Sequence, residues 1–154
     1  MGSGTQGSDT KEPELVLPDL DDEENSGFWL GAAHGELRVQ TCSACDRRRM
    51  PPRPMCPYCR SLDYTWKATS GRGRIWSFVV PHPPLLPSFA DLAPYNVIVV
   101  ELDEEPSIRF VGNLLASSDG PINEIDPATI VIGEPVTVVF QQVGDVTFPR
   151  WIRA

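Results

Sequence analysis

All four cysteines of this 154-residue chain fall in one stretch, CSACDRRRMPPRPMCPYC, between Cys42 and Cys59. The pattern is C-x2-C, ten intervening residues, then C-x2-C. Each C-x2-C turn wraps two thiolates around an ion, and two such knuckles complete a tetrahedral S4 shell. Cys42, Cys45, Cys56 and Cys59 are therefore read as ligands of one metal ion. Four thiolates saturate zinc, whereas a catalytic zinc keeps one position for water, so a structural zinc is expected.

Two other readings of the cysteines stay open. Disulfides fit badly with paired knuckles in a chain placed in the reducing cytoplasm. Redox-active iron suits an S4 shell, as in a rubredoxin-like electron carrier, but such knuckles usually carry glycine after the second cysteine. Asp46 and Arg60 stand there instead.

Elsewhere no self-sufficient catalytic set stands out. His34 and His82 have no motif partner and read as surface histidines. Glu101, Asp103, Glu104 and Glu105 could supply an acid–base pair, but they end a strand and read as a solvated acidic turn. With the thiols committed to metal, no nucleophile motif remains. Gly71-Arg72-Gly73 reads as a turn, without the following helix that a phosphate loop needs.

The charge distribution is more informative. Residues 37–80 hold nine bases and two acids, inside a chain of net charge −8. A Zn(Cys)4 centre adds two negative charges, leaving about +5 on that segment. Arg47, Arg48, Arg49, Arg53, Arg60, Lys67, Arg72 and Arg74 form this island. It is either a solubilising surface or an anion site. Arginine forks hold phosphates such as those of coenzyme A well, and Arg72 and Arg74 are the CoA-binding candidates. Single-stranded nucleic acid is a further reading, although the overall charge opposes it. It calls for exposed aromatics among the cations, and Trp66 and Trp76 read as core.

The elements that must position these groups are mostly strands, given 16 prolines, 12 glycines and short Val/Ile runs. Residues 1–26 read as a disordered acidic linker or tag, with no signal peptide. A short helix is expected over Asp21–Gly35, with acids in its first turn. Residues 27–66 form helix plus metal ribbon, and residues 67–154 a barrel with a C-terminal tail. About five strands follow the cysteines, which makes a small antiparallel OB-type barrel the economical choice and a sandwich the alternative. PHPPLLPSFADLAP, with five prolines in fourteen residues, can be neither an ordinary helix nor a central strand. Its Leu85, Leu86 and Phe89 either meet a partner or plug the barrel. Trp151 and Ile152, in the tail FPRWIRA, either finish the last strand or dock onto a partner, with docking slightly favoured. No apolar run is long enough to cross a bilayer.

An ordered set of residues carries a family resemblance. It comprises FW in the helix, L-x3-C-x2-C, PPR before C-P-x-C, the next-strand tryptophan, S-G-x-G, PY-x-V-x-V-V-E-L-D, IG-x-P-V-x-V-x-F and a closing F-P. From about Phe28 to Phe148 the chain resembles a family of zinc-ribbon plus OB-fold proteins associated with acyl-CoA metabolism. The resemblance implies an N-terminal helix, a rubredoxin-like zinc ribbon and a five-stranded OB barrel. It also implies a non-catalytic accessory domain that binds a thiolase-superfamily enzyme and helps form its acyl-CoA site. One similar group is the C-terminal domain of MaoC-like hydratases in bacterial steroid side-chain degradation, which pairs with a thiolase-like aldolase. The acidic start fits excision from such a fusion.

Overall fold

The computed structural model describes residues 16–154; of the disorder expected over residues 1–26, the part over 1–15 lies outside the described residues, whereas residues 20–26 form a turn and the start of a helix. Helix α1 runs Ser26–Ala33, and its first turn holds no acid. The expected pairing of acids with the helix dipole is thus corrected. Asp21–Glu24 form a separate turn ahead of the helix, in which Asp22 O accepts from Ser26 N at 2.8 Å. Gly35 ends the helix at φ 74°, a conformation that favours glycine.

Three short strands make the ribbon. Strand β1 (Arg38–Cys42) pairs antiparallel with β2 (Arg48–Arg49) on one side and β3 (Tyr64–Ala68) on the other. Leu37 and Val39 enter the core as alternation implied, and Gln40 and Thr41 are buried as well. Helix α1 docks on this sheet at Gly27, where a Cβ would overlap the Trp66 indole. The turn at Ser70-Gly71 then carries the chain out of the ribbon, so β3 and the next strand belong to different sheets.

Five strands follow: β4 (Arg72–Val79), β5 (Val97–Leu102), β6 (Arg109–Gly112), β7 (Pro135–Val143) and β8 (Val146–Arg153). They lie in the order β6-β5-β4-β7-β8. The sheet closes where the chain beyond β6 meets β8 in parallel. Trp151 N donates to Asn113 O at 3.0 Å, and Leu115 N donates to Trp151 O at 2.7 Å. That closure makes an OB-type barrel and leaves no long free edge.

Closing a barrel strands backbone groups at the seam unless something pairs them. Here Asn96, fully buried, accepts from Leu114 N at 2.7 Å and donates to Leu114 O at 2.9 Å. The core gathers Ile75, Ile98, Val100, Leu102, Phe110 and Leu114 around Trp151. Trp151, expected at a docking surface, is 1% exposed and completes the last strand instead. It therefore leaves the set of contact candidates. The proline loop contains one short helical turn, α2 (Pro87–Ala90), with a proline in its first turn. No helix among the described residues is long and apolar enough to cross a membrane.

Candidate functional site

The four cysteine sulfurs converge. All lie within 4.8 Å of one another, with Cys42–Cys59 at 3.6 Å and Cys45–Cys56 at 3.7 Å. These separations are too long for disulfides, and all four cysteines are free. A tetrahedron with Zn–S bonds of about 2.3 Å has edges of about 3.8 Å, so the donor set fits such an ion.

The two knuckles repeat one backbone pattern. Asp46 N donates to Cys42 O and Cys42 N to Arg47 O, each at 3.0 Å. The second knuckle does the same, with Arg60 N to Cys56 O and Cys56 N to Ser61 O at 2.9 Å. Asp46 and Arg60 adopt φ 58° and 65°, the left-handed conformation that glycine takes more cheaply. The departure from glycine at these positions therefore leaves the knuckle shape intact.

Protonation tells the same story from the electrostatic side. Amides of Cys59 and then Tyr58 hold the Cys56 thiol down at about 6, against the opposing effect of burial. The Cys45 amide chiefly lowers Cys42. The Arg47 amide also pulls on Cys45, but burial and the three neighbouring sulfurs push that thiol up to about 12. Four thiolates this close cannot all ionise alone, and a bound dication supplies the charge that lets them coexist.

The basic island is neutralised in part: the acidic turn pairs with Arg48 and Arg74, and Asp46 within the ribbon pairs with Lys67. Arg48 pairs with Glu104 at 2.9 Å and Glu105 at 3.9 Å, Lys67 with Asp46 at 2.6 Å, and Arg74 with Asp103 at 3.6 Å. Burial alone would raise Glu104. Hydrogen bonds from Ser70 and the Arg48 guanidinium outweigh it and hold the carboxyl below its usual range. Arg49 is buried, donating to Gln40 Oε1 and to Arg53 O. Arg72 and Arg74 both lie exposed on the outer face of β4, and among the described residues Arg72 has no ion pair.

Trp76, expected in the core, is 47% exposed beneath the Arg109 guanidinium, 3.9 Å from its ring centre. In the proline loop Leu86 is exposed, whereas Phe89 folds back on Tyr95, with ring centres 5.9 Å apart. Leu85 and Ile152 are half-buried.

Sequence reasoning missed an apolar groove of about 560 Å³ between α1, α2 and the barrel seam. Phe28, Trp29, Phe89, Tyr95, Phe110 and Phe148 supply aromatic walls, and among the described residues Arg150 is the one charged side chain lining it. The only trace of it in the sequence is a lone cation inside the apolar run FPRWI.

Comparison with known proteins now bears on this architecture. Residues 29–65 match the family model described as the ChsH2 rubredoxin-like zinc ribbon domain, and residues 66–141 match the ChsH2 C-terminal OB-fold domain. A DUF35 domain-containing scaffold protein of Methanothermobacter thermautotrophicus is 35% identical over 110 residues, covering 71% of this chain and 74% of that protein. The chain belongs to the ChsH2/DUF35 family.

Another family relative is the 3-oxo-4,17-pregnadiene-20-carboxyl-CoA hydratase alpha subunit of Mycobacterium tuberculosis, 31% identical over 97% of this chain. The chain spans about two fifths of the length of the hydratase subunits it matches. Among solved structures, a chain of the Ltp2-ChsH2(DUF35) aldolase superposes with a TM-score of 0.74 at 32% identity, covering 88% of this chain and 98% of that one. The expected fold and family are thereby confirmed.

Proposed function

We propose that the chain is a non-catalytic accessory domain that binds a thiolase-superfamily enzyme and helps form or stabilise its acyl-CoA site. The complex would act as an acyl-CoA lyase, cleaving a bulky, steroid-like thioester by retro-aldol chemistry. The observation that carries this reading is the likeness to nearly the whole of a chain from the Ltp2-ChsH2(DUF35) aldolase. The carboxyl-CoA substrate named for the mycobacterial relative supports the substrate class.

In this reading Cys42, Cys45, Cys56 and Cys59 hold a structural zinc, and the partner supplies the catalytic groups. Leu85, Leu86 and Ile152 meet the partner, whereas Phe89 turns back onto Tyr95 as a groove wall. Exposed Val79 and Trp76 on the outer barrel face add apolar contact area. Arg72 and Arg74 are the CoA phosphate contacts, with Arg72 the freer of the two. Residues 27–66 and 67–154 act as ribbon and barrel units, with β3 reaching across that boundary to Ala68. The complex works in the reducing cytoplasm, where thiols stay available to metal.

The test is affinity capture from the source lysate at moderate salt, with partners identified by mass spectrometry. A stoichiometric thiolase-superfamily protein supports the reading. Ribonuclease-sensitive RNA, or no specific protein, overturns it.

A further inference from the structure

We propose that the groove beside Arg150 is a binding site for a small apolar monocarboxylate, its anionic end on the guanidinium and its body between the aromatic walls. The size is right for a small ligand: about 560 Å³ lies within the usual range of such pockets. The walls are mostly apolar, with Asn113, Gln141 and Arg150 among the few polar groups, the usual make-up of a ligand pocket.

Arg150 is built into place. Its guanidinium lies 4.9 Å from the Phe148 ring centre and donates through Nη1 to Asn113 Oδ1. Asn113 in turn donates to Asn96 O, and Asn96 grips the Leu114 backbone at the barrel seam. The cation is thus anchored through two buried amides to the closure of the barrel itself.

What Arg150 lacks, among the described residues, is a counter-charge. Within that set its Nε–H has no acceptor and no carboxylate pairs with it. No acid among the described residues lines the groove. Burial accordingly pulls its pKa below the usual arginine value. A partly buried, unpaired guanidinium is unfavourable unless an anion completes it.

The charge count selects the ligand class. A carboxylate matches one guanidinium in both charge and planar fork geometry. A phosphate dianion would keep an uncompensated charge against aromatic walls, because no second cation among the described residues lines the groove. This site is separate from the CoA contacts proposed for Arg72 and Arg74. It does not depend on a partner enzyme, so it is tested on the isolated chain.

Trp29 and Trp151 line the groove, and their fluorescence reports occupancy. The full chain is titrated with decanoate, decan-1-ol and decyl phosphate, each below its micelle concentration. Amide chemical shifts then locate the binding. Decanoate is expected to saturate one site, to shift Gly112, Asn113 and Gln141, and to bind at least about tenfold more tightly than the alcohol or the phosphate.

Arg150→Gln is expected to reduce decanoate affinity to that of decanol while leaving decanol unchanged. Should that variant fail to fold, Leu92→Trp fills the groove from the loop side without touching the Arg150 anchor, and it should abolish binding of both. Equal affinity for acid and alcohol, no saturable binding, preference for the phosphate, or unchanged decanoate binding in Leu92→Trp would overturn the proposal.

Discussion

The ribbon and the barrel hold their shapes by different means, although they share a core. In the ribbon, β2 is two residues long and the segment from Cys42 to Cys59 contributes few buried apolar side chains. Four converging sulfurs organise it. In the barrel, Ile75, Ile98, Val100, Leu102, Leu114 and Trp151 are each almost fully buried, and the seam closes on a buried asparagine. A metal-organised unit writes its design into the spacing of a few residues. A packed barrel spreads the same information over many. Leu37 and Val39 of the ribbon segment join the barrel's core, so the division concerns what is stabilised by which force, not two detached bodies.

Metal removal is the strongest way to break this comparison. A chelator that strips the S4 site should lower amide protection across residues 42–60 by more than about a hundredfold, because metal binding there is folding free energy. The β4–β8 amides should keep most of theirs. Hydrogen exchange with and without chelator reads both regions at once, and equal loss in both would erase the distinction.

Trp151→Ala reverses the experiment. It should cost about 3–5 kcal/mol of stability in urea unfolding, as large core truncations do. Below the unfolding midpoint the variant should still bind one metal ion per chain, measured by a thiolate-displacement dye. A small loss would mean that Trp151 is not the centre of the core.

The contact between the two units sharpens the comparison. Glu104 accepts from the Ser70 amide at 3.0 Å and from Arg48 at 2.9 Å. Its folded pKa lies below the ordinary value, so its contribution is present at neutral pH and is lost as pH falls through and below about 4. Glu104→Gln should remove about 0.5–1 kcal/mol at pH 7 and flatten that acid limb. Thermal melts from pH 3 to 7 check both.

The smallest effect concerns the knuckles. Asp46 and Arg60 hold left-handed backbone without being glycine. Asp46→Gly and Arg60→Gly should each stabilise the ribbon by up to about 1 kcal/mol, read as slower metal release to a chelator. Faster release would show that the Asp46–Lys67 pair matters more than the backbone strain.

Legibility in the sequence followed the same division. The metal centre was readable because a knuckle requires fixed spacing, and the barrel strands were readable from their Val/Ile runs and turn residues. Trp76 was misplaced because adjacent apolar residues, Ile75 and Trp76, leave the phase of alternation undetermined. A register shift between Ile75 and Ser77 then lets Phe78 return to the core. The pairing of Arg48 with the acidic turn was invisible, because Arg48 and Glu104 are 56 residues apart. The Arg150 groove was invisible for a similar reason: its walls come from α1, α2 and the four strands β5–β8, and no local pattern joins them.

The central claim is that this chain acts through a partner enzyme. The most direct measurement takes the captured thiolase-superfamily protein and assays retro-aldol cleavage of a steroid-like β-hydroxyacyl-CoA with the partner alone, this chain alone, and the two combined. The account expects cleavage only from the combination, saturating at a fixed stoichiometry. Full activity from the partner alone, or cleavage by this chain alone, would contradict it.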